Sequence, residues 1–146
     1  MFSGSYLYTL DSKNRLSIPA KLRKNLLPEA KDSFMITLGF GKCIDAYPLD
    51  QWQVIEARLK LLNPYDPNDA NVRRIILSFA SESAMDSQSR IMLTPDLISL
   101  TEIEKDVLIV GNMEKIELWN PRIFKESVNS TPENFQQLAA KVMTGK

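Results

Sequence analysis

The sequence predicts an α+β fold built from two tandem β-hairpin units. Asp11-Ser12-Lys13-Asn14-Arg15-Leu16-Ser17-Ile18-Pro19 returns 75 positions later as Asp86-Ser87-Gln88-Ser89-Arg90-Ile91-Met92-Leu93-Thr94-Pro95. Each copy has an apolar approach (Tyr6, Leu7, Tyr8 and Leu10, or Ala80 to Met85), four polar residues, an arginine, and a short apolar run stopped by proline. Between and after the copies, apolar residues recur at three- and four-residue steps, the period of amphipathic helices.

The tip chemistry follows from residue type. Asp11 and Asp86 can accept hydrogen bonds from backbone amides two or three residues on and so close a turn, with Asn14 and Ser89 before the arginines. Asn14 tolerates the left-handed backbone of a tight tip, whereas Ser89 there costs strain. These four residues are the expected structural turn, in which pairing of Arg15 and Arg90 with the aspartates competes with a binding role.

Pro19 to Leu27 reads as a short helix with Leu22 and Leu26 on one face and Lys21, Arg23 and Lys24 on the other. That basic face suits either solvent or phosphate. Ser33 to Leu38 and Cys43 to Tyr47 are expected strands around a Gly39-Phe40-Gly41-Lys42 turn. In the second copy Leu97 stands as Leu22 does, and Val107 to Val110 and Ile116 to Trp119 repeat the two strands. Tyr47 with Trp52, and Trp119 with Phe124, place an aromatic at the strand end and another five residues on, a spacing that suits packing.

Trp52, Ile55, Leu59 and Leu62, then Val72, Ile75, Ile76 and Phe79, predict two helices broken at Asn63 to Asn68, the second capped at Asn68 or Asp69. A last helix is expected from a cap-then-proline signal at Ser130-Thr131-Pro132, with Phe135, Leu138, Ala139 and Val142 on one side. The expected organisation is a first unit over 1–48, an inserted αα-hairpin over 49–79, a second unit over 80–124 and a helical tail over 125–146.

Composition narrows the function. The 146 residues allow one modest core or two small ones sharing an interface. No histidine and a single cysteine remove the usual zinc sets, histidine-based acid–base chemistry and any internal disulfide; Cys43 reads as a small core residue. Phosphate-binding glycine motifs are absent, and paired carboxylates at Asp11 and Asp86 have no accompanying nucleophile, so an enzyme is not expected. Neither a membrane-length apolar run nor a secretory pattern is present, so a cytoplasmic protein is expected. Net charge is zero, yet residues 1–32 carry six basic against three acidic side chains, leaving room for a local basic patch.

Two Asp-x-x-x-Arg hairpins in tandem, the first running on as Arg15-Leu16-Ser17-Ile18-Pro19 and the second as Arg90-Ile91-Met92-Leu93-Thr94-Pro95, with the Tyr47-Pro48 and Trp119 exits, resemble the MraZ family of bacterial proteins. The resemblance runs from Gly4 to about Phe124, departing from the family pattern where Asn14 and Ser89 replace the glycine before each arginine. It implies an AbrB/SpoVT-like, swapped-hairpin barrel in which two β-units interlock, here as a pseudo-dimer within one chain. It also implies a cofactor-free, nucleoid-associated transcriptional regulator of the division and cell-wall gene cluster, its own promoter included. Such a protein acts as a homo-oligomeric ring on short repeated boxes of double-stranded DNA. The matching DNA-contact positions are Arg15 and Arg90, with Lys13 and Gln88 beside them. The alternatives are an AbrB-like interaction module of the antitoxin type, and a structural ring that binds protein partners through the helical insert.

Overall fold

The computed structural model describes residues 1–130 and 133–145. The first copy contributes β1 (Ser5–Thr9), β2 (Arg15–Ser17), α1 (Ala20–Arg23), a 3₁₀ turn (Pro28–Ala30), β3 (Ser33–Leu38), β4 (Ile44–Pro48), α2 (Leu49–Lys60) and α3 (Pro67–Phe79). The second contributes β5 (Ser81–Ala84), β6 (Arg90–Met92), α4 (Pro95–Leu100), β7 (Asp106–Asn112), β8 (Lys115–Trp119), α5 (Pro121–Asn129) and α6 (Phe135–Met143).

The two copies interlock. Among the described residues the strands form a six-stranded antiparallel sheet, ordered β1-β7-β8-β4-β3-β5, and a separate two-stranded ribbon of β2 and β6. Reading the order from either end gives the same sequence of equivalent strands, so the sheet has an internal two-fold between β4 and β8. β1 of the first copy pairs with β7 of the second, and β5 of the second pairs with β3 of the first. The mixed composition and duplicated arrangement are as expected. Closure into one barrel is not visible in the pairings, which leave β1 and β5 as the two ends of an open sheet.

The core lies where the copies meet. Leu16 and Ile91 are equivalent, fully buried and directly opposed in the ribbon, and Ile18, Leu22, Leu93 and Leu97 extend the layer. Phe34, Ile36, Ile44, Ile109, Ile116 and Leu118 close it from the sheet. β1 shows how alternation sets this register: Tyr6 and Tyr8 turn inward while Ser5, Leu7 and Thr9 face out.

Several helix bounds differ from the sequence reading. α1 stops at Arg23; tighter turns, in which the Asn25 and Leu26 amides donate to the Leu22 and Arg23 carbonyls, carry the chain to Leu26, and Leu27, before Pro28, is held extended at φ −89°, ψ 156°. α3 is capped by Asp66 rather than Asn68 or Asp69: its carboxylate accepts from the Asp69 amide at 2.9 Å, and Pro67 takes the first helical position. α5 was not anticipated and crosses the expected boundary at residue 124. Asn120 starts it by accepting from the Arg122 and Ile123 amides, with Pro121 next. The cap-then-proline signal at Thr131-Pro132 lies outside the described residues, and the helix expected there begins at Phe135, capped by Asn134. The aromatic pairs pack within their own copies, with ring centroids 5.8 Å apart for Tyr47 and Trp52 and 5.3 Å for Trp119 and Phe124. Each thereby fixes a helix to the strand before it.

Gly111 marks a close crossing of β7 and the N-terminal segment. A Cβ there would stand 2.4 Å from the Ser3 amide nitrogen, a clash with backbone rather than with a flexible side chain. Gly111→Ala is expected to displace residues 1–4 and cost about 1–3 kcal/mol. Loss of the Phe2 to Met113 bridge by amide hydrogen exchange, together with a lower urea midpoint, checks it.

Candidate nucleic-acid interface

The two tips are nearly identical in geometry. Asp11 Oδ1 accepts from the Lys13 and Arg15 amides, each at 2.9 Å, and its Oδ2 accepts from Arg15 Nε at 2.6 Å. Asp86 Oδ1 accepts from the Gln88 and Arg90 amides at 2.9 and 3.0 Å, and its Oδ2 from Arg90 Nε at 2.9 Å. One carboxylate therefore closes the turn and aims the arginine together. The backbone amides, led by that of the arginine, hold both carboxyls below their ordinary pKa. A folded pKa below the unfolded value means that these turns are favoured above the ordinary carboxylate range and loosen as pH falls through the depressed values. Side-chain carbon shifts of Asp11 and Asp86, followed by NMR down to about pH 2, are expected to titrate below those of solvent-exposed aspartates.

Asn14 and Ser89 both adopt the left-handed conformation, at φ 60° and 59°. The serine tip thus has the same shape as the asparagine tip. The reason is a reciprocal exchange between copies: the Leu93 amide donates to the Asn14 carbonyl and the Ile18 amide to the Ser89 carbonyl, each at 2.9 Å. The left-handed residue turns its carbonyl toward the other copy's strand, a requirement that a hairpin considered alone does not reveal. Because serine is strained there, Ser89→Gly is expected to raise the unfolding free energy by about 0.5–1 kcal/mol, read as a higher urea midpoint at unchanged m.

The ribbon brings the arginines together. Arg15 stands opposite Met92 and Arg90 opposite Ser17, and Arg90 Nη1 lies 3.6 Å from Asp11 Oδ2. Asp11 thus serves both arginines, whereas Asp86 serves its own. Their side chains retain 29% and 23% exposure, so each guanidinium is held by its Nε edge yet reaches solvent. Lys13 and Gln88 are exposed on the tips. Lys21 on α1 and Lys24 at its C-cap are also exposed, but Arg23 is partly structural: its Nε donates to the Ile18 carbonyl at 3.0 Å.

A second polar cluster lies away from the tips, where β4 and β8 meet. Asp45 and Glu117 face each other in register, and Lys115 Nζ stands 2.8 Å from Asp45 and 3.5 Å from Glu117. Burial pushes the Asp45 carboxyl up in pKa, a shift that Lys115 opposes. Burial also works against the Lys115 ammonium, but the hydrogen bond and charge of Asp45 outweigh it and its pKa is raised. Cys43 is fully buried, and burial lifts its thiol to about 12, as befits a packed residue rather than a nucleophile. Cys43, Asp45 and Glu117 have the atom types and proximity of a metal site, but the ammonium already supplies the positive charge between the two carboxylates. Sequence reading passed over this cluster. Its signal was acids set within the apolar runs Ile44-Asp45-Ala46 and Ile116-Glu117-Leu118.

Comparison with known proteins adds a decisive observation. The family model described as "MraZ protein, putative antitoxin-like" matches twice, over residues 1–75 and 76–144. The chain belongs to the MraZ family. Among curated MraZ proteins, one from Thiobacillus denitrificans is 38% identical over 120 residues, covering 82% of this chain and 81% of that protein. One from Escherichia coli is 36% identical over 129 residues, covering 88% and 85%, and one from Natranaerobius thermophilus is 35% identical over 144 residues, covering 98% and 97%. Each is named "Transcriptional regulator MraZ", a role without catalysis. The family matches run through α2 and most of α3 in the first copy and through α5 and α6 in the second.

Proposed function

We propose that this chain is a sequence-specific DNA-binding transcriptional regulator in which Arg15 and Arg90 read base edges. The observation that carries the reading is the ribbon: two arginines, each aimed by its own aspartate, stand at diagonal positions on one face of a two-stranded β-element of the kind the major groove admits. A guanidinium held through Nε can still present its Nη groups to guanine O6 and N7, while Lys13 and the α1 cations meet phosphate. The cluster of two aspartates and two arginines is neutral, so contacts at one tip pair are weak. Affinity then comes from several copies on repeated boxes. Apolar residues left exposed on the helices, Val72 and Ile75 on α3 and Phe135 and Val142 on α6, support assembly into a ring.

By its family resemblance the target is the promoter of the division and cell-wall gene cluster, its own gene included, and the site of action is the cytoplasmic nucleoid. An anisotropy titration on the segment upstream of its own gene, against a shuffled duplex, tests the reading. Preference for the native segment, increasing with the number of correctly phased boxes, is the expected result. Equal affinity for both duplexes removes it. The exposed apolar side of α6 favours one alternative, an antitoxin-like protein-interaction module, and that reading gains if the native duplex is not preferred.

A further inference from the structure

The first copy's basic helix sits beside the second copy's tip. Arg23 on α1 is tied through Nε to the Ile18 carbonyl, and the Ile18 amide is tied in turn to the Ser89 carbonyl. The Arg23 side chain accordingly lines a polar hollow of about 330 Å³ with Leu26, Asp32, Met85, Asp86 and Ser89, on the flank of the second turn. Among the described residues the Arg23 side chain has no other hydrogen bond or ion pair, which leaves its remaining guanidinium nitrogens for an anion. Of the two acids in the hollow, Asp86 is taken up by Arg90 at 2.9 Å, leaving Asp32 against Arg23 and the exposed Lys21 and Lys24.

The repeat shows that this charge is not symmetric. At the 75-residue offset, Lys21, Arg23 and Lys24 correspond to Asp96, Ile98 and Ser99, while Lys13 corresponds to uncharged Gln88. The first tip therefore has its own lysine, and the second has none but stands beside α1. We propose that Arg23, with Lys21 and Lys24, is the phosphate clamp of the second tip, supplied by the other copy in place of the lysine which that tip lacks. This rests on the DNA-binding reading and deepens it: the tips hold the duplex by different means, so a single chain binds an asymmetric site in one orientation.

The test is a rescue. Wild type, Arg23→Ala, Lys13→Ala, Gln88→Lys and the doubles of Gln88→Lys with each alanine variant are titrated on the native promoter segment at several salt concentrations. Thermal unfolding checks that each variant is folded. Arg23→Ala is expected to weaken binding about 3- to 10-fold on native and shuffled duplexes alike and to make the salt slope shallower by about 0.9. Gln88→Lys is expected to restore the Arg23→Ala loss but not the Lys13→Ala loss. Arg23→Ala binding as tightly as wild type, or Gln88→Lys strengthening every background by one common factor, overturns the clamp while the DNA-binding reading stands. Should Arg23→Ala unfold through loss of its tie to Ile18, the exposed pair Lys21→Ala with Lys24→Ala carries the same comparison. Absence of any native preference in the wild type instead removes the underlying reading and the clamp with it.

Discussion

Lys115→Met is expected to lower the unfolding free energy by about 3 kcal/mol at neutral pH, with much of the loss returning on acidification. The ammonium lies between two carboxylates on adjacent central strands, and the Asp45 side chain is 3% exposed. Methionine keeps most of the stem but leaves Asp45 and Glu117 facing each other without a cation. Burial and like charge then raise the folded pKa of Asp45 further above its unfolded value. A carboxyl raised in the folded state contributes its stability below the unfolded pKa and loses it as pH rises through the folded one, so the deficit is full at pH 7 and shrinks toward acid. Urea unfolding across a pH series reads this directly. A variant as stable as wild type at pH 7, or a deficit that deepens on acidification, would show that the pair is solvated. Adding Asp45→Asn to Lys115→Met removes one of the stranded charges and is expected to recover stability.

Arg15→Ala is expected to weaken binding to the native promoter segment by about 100-fold, and Arg90→Ala by about 10-fold, where one bidentate guanine contact is worth about 1–3 kcal/mol. The inequality comes from Asp11. With Arg90 removed, Asp11 still holds Arg15 through the 2.6 Å bond to Nε. With Arg15 removed, Asp11 keeps only Arg90, now 3.6 Å away, and draws that guanidinium from its place on Asp86, so both tips are disturbed. Arg15→Lys is expected to recover little, because an ammonium has neither the fork for guanine nor the Nε edge for Asp11. Anisotropy titrations at one fixed salt concentration provide the comparison. Equal losses for the two alanine variants would mean that the tips act independently, and full rescue by lysine would reduce Arg15 to a phosphate contact.

The parts of the fold written in local chemistry were legible in the sequence. The Asp-x-x-x-Arg tips and the paired aromatic exits each depend on residues within a few positions of one another, and each forms as its residue types require. What was not legible depends on partners far along the chain. No local pattern shows that Asp11 also faces Arg90, that Arg23 flanks the second turn, or that Asp45 has Lys115 as its cation. Ser89 shows the difference within one residue. Taken locally it is a strained substitute for glycine, but the structure shows its left-handed backbone delivering a carbonyl to Ile18. α5 does not follow from reading Trp119 as a strand exit alone, although the Asn120-Pro121 after it is a helix-start signal.

The exchange of edge strands also sets the order in which the chain can be completed during synthesis. β1 leaves the ribosome first, but its partner β7 begins only at Asp106, and β3 waits for β5. Until then, β1 and one edge of β3 have unsatisfied backbone donors and acceptors, the kind of surface that invites pairing with another nascent chain. Adjacent translation of both copies on one message keeps the correct partner at high local concentration. Fusion of the two units therefore secures correct pairing as well as doubling the number of tips.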